Sequence, residues 1–330
     1  MKVLVTGASG FLGGHVAERL TARGDSVRAL VRSTSNRKHL ETLPNLEFFE
    51  GAIEDADRVK EAVDGVEAIV HTAGLVKARS TDEFFATNVG GTSNLVQAAR
   101  GGRGKGSPVK RFVFVSSLTA CGPSPDGRPV ARDQEAPNNA YGRSKLSAEK
   151  VVLSVKDEVR SVILRPGAIY GPRDGEILDV FKSIQRGLLP LVGTGEAKGS
   201  WIYATDCADA CLRAIDADVP SGSTFFVDDG EAAIDQKQLC ADAERALGRR
   251  AVLRGSIPVP VLMAIARGVE IFGRVTNRAV MLTPEKASML LQHWVCSSEE
   301  TRSALGWQPQ VGWQEGLDRT VKWYRENGWL

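Results

Sequence analysis

A chain of 330 residues is long enough for one large α/β domain and a smaller second one. Its hydrophobic content of 42% and charged content of 25% are those of an ordinary globular protein, and a net charge of +2, with Lys and Arg scattered along the chain, argues against a nucleic-acid partner. The five cysteines are an odd number without metal-binding spacing, and no signal-peptide pattern precedes the first strand, so we expect no metal site and a reducing, cytoplasmic compartment.

The chain begins with a short apolar run that leads into a glycine-rich turn. Residues 2–6 predict a buried strand, and Gly7, Gly10 and Gly13 lead into a helical pattern. Backbone without Cβ atoms can approach a pyrophosphate closely, and the first N–H groups of the helix favour an anion. A second apolar run at 26–31 follows at the distance that a βαβ unit requires, so we expect dinucleotide binding rather than glycines that merely close a turn.

The basic loop after the second strand bears on the type of dinucleotide. In such folds a carboxylate at the end of this strand selects the free 2′-hydroxyl of NAD. Here Val31 ends the strand and Arg32 follows it, so a 2′-phosphate would meet a cation. We therefore predict NADP(H) in preference to NAD(H), the alternative being that Arg32 is an ordinary surface residue.

Two further strands are predicted at 46–49 and 67–71, and both end at the carboxyl edge of the sheet, where ligands of such folds bind. Small residues follow the second of these strands at 72–74, which would let a ribose and a nicotinamide pass close to the backbone. His71 is expected to be packed and hydrogen-bonded, because no acidic or nucleophilic residue adjoins it.

A helix is predicted at 82–100, and it contains Asn88 and the pair Gly90–Gly91. Two glycines in a helix are costly unless a neighbour packs closely against them. Residues 101–108 predict a surface loop. Because strand and helix patterns alternate throughout this half, the expected fold class is α/β, with a doubly wound parallel sheet.

The residues with catalytic potential follow a fifth predicted strand at 111–115. This strand runs into Ser116 and Ser117, and Tyr141 and Lys145 lie four apart, on one face of a predicted helix. A phenol is a poor acid or base at neutral pH, but a nearby ammonium group would lower its pKa. A serine hydroxyl from the strand end could then hold a carbonyl oxygen against the phenol.

Together these motifs resemble the extended short-chain dehydrogenase/reductase family, within the NAD-dependent epimerase/dehydratase superfamily, over essentially the whole chain. The motifs are Thr6-Gly7-x-x-Gly10-x-x-Gly13, Asn88-Val-x-Gly-Thr92, Ser117, Tyr141-x-x-x-Lys145 and the segment from Arg165 to Arg173. The resemblance implies a Rossmann fold in which Tyr141 gives or takes the proton and Ser117 polarises the substrate oxygen. Lys145 would lower the pKa of Tyr141 and hold the nicotinamide ribose.

The resemblance also implies a set of cofactor contacts and a division of the chain. The expected cofactor-binding residues are Gly7, Ser9, Gly10, Phe11, Leu12, Gly13, Arg32, Ala52, Ile53, Thr72, Ala73, Gly74, Asn88, Ser116, Tyr141, Lys145, Pro166, Gly167 and Ile169. One departure is Ala52, where the family usually has an Asp that contacts the adenine. The expected domains are a dinucleotide-binding domain at 1–166, with a return strand near 223–227, and a mostly helical substrate domain at 167–330.

In the second half of the chain the elements are predicted from apolar periodicity. The expected helices are 174–187, 204–217, 235–248, 258–273, 284–294 and 313–327, and a strand is expected around Trp201. The tryptophans of the C-terminal region are expected to be packing anchors.

Three positions bear on the branch of the family. Dehydratases carry an acidic pair where Leu118–Thr119 stand, and sugar-nucleotide epimerases tend to carry an Asn within 167–169 and an Arg near Lys198. The apolar segment 257–272 resembles the substrate-covering region of the branch with 3β-hydroxysteroid dehydrogenases, dihydroflavonol reductases and hopanoid-associated epimerase-like proteins. We expect this segment to be a buried or lid helix, with peripheral membrane contact as the alternative.

The predicted function is therefore an NAD(P)-dependent oxidoreductase that reduces a ketone, or oxidises a secondary alcohol, on a bulky and fairly apolar substrate. A nucleotide-sugar epimerase that works on tightly held NAD is the alternative. A dinucleotide-sensing regulator without catalysis is a third, which the presence of both Tyr141 and Lys145 disfavours. A homodimer through a pair of helices is common in the family.

Overall fold

The computed structural model describes residues 1–101, 109–276, 278–280 and 282–330. Most of the surface loop predicted at 101–108 lies outside the described residues. In chain order the strands are β1 (Lys2–Thr6), β2 (Ser26–Val31), β3 (Leu46–Glu50), β4 (Ala68–His71), β5 (Arg111–Val115), β6 (Ser161–Pro166), β7 (Ala168–Tyr170), β8 (Leu188–Val192), β9 (Lys198–Gly199), β10 (Trp201–Tyr203), β11 (Ser223–Val227), β12 (Ile234–Asp235) and β13 (Leu253–Ile257). The helices are α1 (Phe11–Arg23), α2 (Ala56–Val63), α3 (Thr81–Phe85), α4 (Gly91–Gly101), α5 (Ala140–Leu153), α6 (Glu176–Gln185), α7 (Ala204–Asp216), α8 (Gln236–Leu247), α9 (Val259–Thr276), α10 (Pro284–Met289), α11 (Glu299–Leu305) and α12 (Trp313–Glu326).

Seven strands form one parallel sheet in the order β11-β6-β5-β4-β1-β2-β3. The chain moves from β1 outward to β3, and then crosses to β4 on the other side of β1, so the order reverses between β1 and β4. Ligands of open α/β sheets bind at the carboxyl ends of the strands beside such a reversal. The return strand predicted at 223–227 is confirmed as β11, which pairs with β6 and places Phe225 opposite Leu164.

The sheet lies between two helical layers because its strands are apolar on both faces. Val3 and Val5 of β1 pack on the side of α1 and α7, whereas Leu4 packs on the side of α2, α4 and α5. The first layer also contains the fully buried Cys207 and Cys211, which are free thiols in the core.

The remaining elements form a lobe beside the carboxyl edge of β6 and β11. Helices α6, α8 and α12 pack around Tyr170, whose ring centroid lies 4.8 Å from that of Trp313 and 5.5 Å from that of Tyr203. Trp307 packs in the core of the main sheet instead, and its indole N–H donates to the carbonyl of Asp206 at 3.1 Å.

The structure corrects three predicted elements. The helix predicted at 82–100 is α3, a π-helical turn at Ala86–Gly90, and α4. The helix predicted at 284–294 ends with α10 at Met289, because Trp294 leaves the helix and its backbone N–H donates to the carbonyl of Lys198 at 2.7 Å. The expectation of burial for 257–272 is wrong for much of α9, which is described below.

Candidate active site

The glycine turn between β1 and α1 has no room for side chains at two positions. Gly7 has a φ of +74°, and a Cβ on Gly13 would lie 2.1 Å from the carbonyl oxygen of Gly7. The Gly10 N–H donates to that same oxygen at 2.8 Å and closes the turn, so α1 begins at Phe11 with its first N–H groups at the switch point of the sheet. A bare backbone before a helix N-terminus has the form of a pyrophosphate cradle.

The carboxyl end of β4 is held against this turn by a buried polar network. His71 Nδ1 lies 2.7 Å from Thr6 Oγ1, and His71 Nε2 lies 2.9 Å from Thr92 Oγ1. Burial, together with the charge of Lys145, lowers the pKa of His71 to about 3, so the imidazole is neutral at physiological pH. His71 is thus a packed, hydrogen-bonded residue, as its sequence context predicted. The Thr72 hydroxyl donates to the Thr6 carbonyl at 2.7 Å.

Asn88 lies in the π-helical turn and holds the loop that follows β4. Its Oδ1 accepts the Leu75 N–H at 2.7 Å, and its Nδ2 donates to the Leu75 carbonyl and to Ser144 Oγ at 3.1 and 2.9 Å. A Cβ on Gly74 would lie 3.1 Å from Asn88 Oδ1 and 3.8 Å from Lys145 Nζ. The structure therefore places Asn88 where it positions the loop at 72–74 beside Lys145, with its own amide already bonded to the chain.

The three predicted catalytic residues come together at the carboxyl edge of β5. The N-terminus of α5 is capped by Asn139, and its first turns carry Tyr141 and Lys145 toward the strand end. The Ser117 hydroxyl is close enough to the Tyr141 hydroxyl to lower the pKa of the phenol. Lys145 Nζ donates to the Val115 carbonyl at 2.6 Å and lies 4.5 Å from the centre of the Phe114 ring.

The pKa values at this site differ from the sequence-based expectation. Burial raises the pKa of Tyr141 to about 12, although its hydrogen bond with Ser117 lowers it in part. The ammonium group of Lys145 was expected to lower this pKa, but that group is directed to the Val115 carbonyl. Burial also lowers the pKa of Lys145 itself to about 8. At neutral pH the site therefore holds a protonated phenol beside a protonated amine.

Thr119 positions the Ser117 hydroxyl, a contact that the sequence did not reveal. The Thr119 hydroxyl and backbone N–H both donate to Ser117 Oγ, at 2.9 and 3.2 Å. Because Ser117 Oγ accepts both bonds, its own proton is left to donate toward the phenol or toward a substrate oxygen.

A buried ion pair lies behind the amine of Lys145. Glu149, one turn beyond Lys145 on α5, accepts two hydrogen bonds from the Arg165 guanidinium at 2.9 and 2.6 Å. Ser116 donates its hydroxyl to the same carboxylate, so its side chain is turned to Glu149. The Glu149 charge raises the pKa of Lys145 and partly offsets the effect of burial. Sequence reasoning missed this pair, although the spacing of Tyr141, Lys145 and Glu149 by four would have indicated it.

Two acidic residues from the lobe also lie close to the start of α5. Glu285 accepts the backbone N–H of Ala140 at 3.0 Å, and it belongs to α10, a helix far away in sequence. The Glu176 charge raises the pKa of Tyr141, and Glu176 itself pairs with Lys286 at 3.1 Å. Charged groups from two C-terminal helices thus surround the phenol.

The other predicted cofactor residues lie at or just beyond the carboxyl ends of the strands. Arg32 is exposed immediately after β2, and the buried Ile53 follows β3 and packs against Gly91. Gly167 follows Pro166 at the end of β6, and a Cβ there would lie 2.5 Å from the Ser200 carbonyl. Five more residues of the predicted cofactor-binding set lie in the glycine turn, in the first turn of α1, or just after β3, β4 and β6. They are Ser9, Leu12, Ala52, Ala73 and Ile169.

The described part of the chain has neither a membrane-spanning helix nor a metal-binding cluster. Among residues 1–101, 109–276, 278–280 and 282–330, no helix is long and apolar enough to cross a membrane. The same residues contain no group of three or more His, Cys, Asp or Glu side chains arranged to hold a metal ion.

Comparison with known proteins identifies the relatives of the chain. The model of the NAD-dependent epimerase/dehydratase family matches residues 3–227. A 4-hydroxy-2-methyl-3-oxo-4-farnesyl-3,4-dihydroquinoline-1-oxide ketoreductase of Stigmatella aurantiaca is 30% identical, over 96% of this chain and 95% of its own length. A 3β-hydroxysteroid dehydrogenase/isomerase of Mycobacterium tuberculosis is also 30% identical, over 98% of this chain and 90% of its own. A solved dTDP-glucose 4,6-dehydratase of Streptomyces venezuelae with bound NAD is 26% identical, with a TM-score of 0.81, and the match covers 100% of this chain and 98% of that one.

Proposed function

Because this chain belongs to the NAD-dependent epimerase/dehydratase family of extended short-chain dehydrogenases/reductases, we propose that it is an NAD(P)-dependent reductase of a bulky, largely apolar ketone. The reverse reaction would oxidise the corresponding secondary alcohol. The observation that carries this proposal is that Ser117, Tyr141 and the buried Lys145 meet at the carboxyl edge of the sheet, where Ser117 is close enough to lower the pKa of the Tyr141 phenol.

Each of these three residues has a defined part in the proposed reaction. Ser117 and Tyr141 hold the carbonyl oxygen of the substrate by hydrogen bonds. Tyr141, which is protonated at neutral pH, then donates its proton to that oxygen. Lys145, whose ammonium group donates to the Val115 carbonyl in this structure, would turn toward Tyr141 and stabilise the phenolate left behind. A bound reduced nicotinamide would supply the hydride.

The bare backbone of the glycine turn fits a dinucleotide. We propose that the turn at Gly7, Gly10 and Gly13 binds the pyrophosphate, since its backbone carries no Cβ atoms and leads into the first N–H groups of α1. The residues at 72–74 would allow the nicotinamide ribose to approach Lys145.

We propose NADP(H) as the preferred cofactor because Arg32 is exposed at the end of β2, where a 2′-phosphate would lie. The test is calorimetric binding of NADPH and NADH to Arg32→Ala. We expect NADPH affinity to fall by about tenfold and NADH affinity to stay unchanged, since a charge-assisted contact to phosphate is lost. The matched control is Arg37→Ala, a nearby exposed arginine that lies over the Phe48 ring at 4.9 Å. Equal losses for the two dinucleotides would refute the role of Arg32.

Two relatives support the choice of substrate class, since one acts on a farnesylated quinoline and the other on a steroid, by their names. Leu118 and Thr119 stand where a dehydratase has its acidic pair, which disfavours elimination chemistry. A nucleotide-sugar epimerase is the second candidate, because a solved UDP-glucose 4-epimerase of Thermus thermophilus with NAD is 25% identical over 98% of this chain, with a TM-score of 0.76.

The first experiment is an absorbance spectrum of the purified protein, followed by calorimetric binding of NADPH, NADH and NAD. Loose binding that favours NADPH, with turnover of one or more ketones in an apolar panel, is the result that we expect. Copurified NAD that resists dialysis, together with turnover of a nucleotide sugar, would instead identify an epimerase.

We also propose a cytoplasmic location, which five buried free cysteines suit, and a homodimer formed through a pair of helices. Light scattering on the purified protein measures the assembly directly.

A further inference from the structure

Helix α9 (Val259–Thr276) exposes an apolar face to solvent. Leu262 and Ala266 are buried against the lobe, where they pack with Val192 and Ala287. On the opposite side of the helix, spaced by three and four residues, the side chains are apolar and exposed. These exposed residues are Val261 (49%), Ile265 (47%), Ile271 (61%), Phe272 (60%) and Val275 (81%).

An exposed apolar face of this length marks an interaction surface. Ala264 and Gly268 are also exposed between the larger residues, so the face is continuous along the helix. Its polar residues, Arg267, Glu270 and Arg274, form a narrow stripe along one edge of the face, at i, i+3 and i+7. A helix that is apolar on two faces, with a cationic edge, has the composition of a helix that lies in a membrane interface.

The charge around α9 indicates what covers this face. Residues 249–280 contain six arginines and one glutamate, a surplus of five positive charges, whereas the whole chain carries +2. The rest of the chain is therefore net negative. The arginines of this segment are all exposed, and Arg254 pairs with Glu244 and Arg274 with Glu270; the other four are Arg249, Arg250, Arg267 and Arg278. A second copy of the chain on the same face would bring two such cationic segments together, whereas an anionic lipid surface would neutralise one of them.

We propose that the exposed face of α9 and its flanking arginines dock the protein on an anionic lipid bilayer, in the plane of the interface. Val261, Ile265, Phe272 and Val275 enter the boundary between headgroups and acyl chains, and the arginines contact the lipid phosphates.

This surface lies a short distance from the candidate active site. The buried side of α9 packs on Ala287 of α10, and Glu285 of the same helix accepts the backbone N–H of Ala140 at the start of α5. A bilayer on α9 is thus separated from Tyr141 by one short helix. If the proposed function is right, the enzyme also takes its apolar ketone from the bilayer. Only this uptake of substrate, and not the docking itself, rests on the proposed function.

The test is flotation of the full-length protein with two kinds of vesicle, phosphatidylcholine alone and phosphatidylcholine with about one part in three phosphatidylglycerol. We expect the wild-type protein to bind the anionic vesicles at least about tenfold more strongly, and to lose most of this binding at high salt.

Two variants separate the apolar and the cationic contributions. Ile271→Ser with Phe272→Ser should weaken binding to anionic vesicles by at least about tenfold, because two exposed apolar side chains no longer enter the bilayer. Its control is Val76→Ser, an exposed apolar residue outside this segment. Arg267→Gln with Arg278→Gln should weaken binding about fivefold for each arginine removed, whereas Arg160→Gln with Arg319→Gln should leave it unchanged.

Three outcomes would overturn the proposal. In the first, the wild-type protein binds neither kind of vesicle. In the second, the control variants weaken vesicle binding as much as the α9 variants do. In the third, the wild-type protein is an oligomer that binds no vesicles, and the double serine variant dissociates it. The last outcome would identify the face as an interface between copies. Reduction of a short water-soluble ketone by NADPH, without vesicles, is measured in parallel. If the protein reduces the ketone but does not bind vesicles, only the lipid-docking proposal fails. If it binds vesicles but reduces no ketone, only the proposed function fails.

Discussion

The surroundings of Lys145 shift the pKa of its amine in two opposite directions. Burial against Phe114 lowers its pKa to about 8, and the Glu149 carboxylate, itself paired with Arg165, raises it. Because the proposed phenolate of Tyr141 needs a cation beside it, the protonation of Lys145 should set the alkaline limit of reduction.

Glu149→Gln should move that limit to lower pH. The substitution removes the negative charge that supports the Lys145 ammonium group, so we expect the alkaline limb of kcat/KM for ketone reduction to shift down by about one pH unit. Glutamine keeps one oxygen for the Arg165 guanidinium, and the matched control Ser116→Ala removes a hydrogen bond to Glu149 without changing the charge. The measurement is a pH profile of ketone reduction at saturating cofactor. An alkaline limb that stays in place in Glu149→Gln would show that Glu149 has no such role.

His71 should make the stability of the protein depend on pH. Its pKa is about 3 in the folded chain and about 6.5 when unfolded, so between these values the unfolded chain binds more protons. The stability that the neutral imidazole contributes is therefore complete above about pH 6.5 and is lost as the pH falls. Between about pH 7.5 and pH 5 this loss should amount to about 2 kcal/mol of unfolding free energy.

The check is urea unfolding of the wild type and His71→Gln at these two pH values. The variant lacks the titrating group. When the pH is lowered from about 7.5 to 5, its unfolding free energy should therefore fall by about 2 kcal/mol less than that of the wild type. His293→Gln serves as the control. If wild type and His71→Gln lose the same stability on acidification, the imidazole is not buried in its neutral form.

At the scale of single elements, the pair Gly90–Gly91 between the π-helical turn and α4 gives a prediction with a built-in control. A Cβ on Gly91 would lie 2.7 Å from Ile53 Cγ2, whereas a Cβ on Gly90 would meet open space. Gly91→Ala should therefore lower the unfolding free energy by about 1–3 kcal/mol through overpacking. Gly90→Ala should raise it by about 0.5–1 kcal/mol, because alanine is the better helix former. Thermal unfolding of both variants measures the difference, and equal effects would contradict the close contact with Ile53.

Most of the sheet could be predicted because its strands are short apolar runs separated by helices. The pattern of 2–6 and 26–31 matches β1 and β2, and the helix that carries Tyr141 begins where the motif predicted. The π-helical turn at Ala86–Gly90 was missed because one extra residue in a turn does not change which residues are apolar. The exposure of α9 was missed because apolar periodicity is ordinarily a sign of burial.

The candidate site was predicted in part for a similar reason. Ser117, Tyr141 and Lys145 belong to a motif of fixed spacing and chemistry, and the structure brings them together. The raised pKa of Tyr141 could not be predicted, since it depends on burial by segments that are distant in sequence. Glu285 of α10 was missed on the same ground, because it reaches the start of α5 only through the fold.

In the whole molecule, the two halves of the chain share one core. Helix α7, strand β11 and Trp307 all pack on the main sheet, although each follows residue 166 in the sequence. We therefore propose that the dinucleotide-binding domain consists of residues 1–166 completed by these later segments, with the remaining elements of 167–330 as the substrate domain. This arrangement places the site between a rigid sheet and the lobe of α6, α9 and α10.

The central claim is that Tyr141 donates the proton in ketone reduction. The most direct test compares the wild type with Tyr141→Phe in two assays, NADPH binding by calorimetry and NADPH oxidation with the ketone that the wild type reduces fastest. We predict that binding changes by less than about threefold while kcat falls by about 10²–10⁴, because the variant keeps the ring and loses only the proton donor. A variant that binds NADPH normally and reduces the ketone at the wild-type rate would contradict this account.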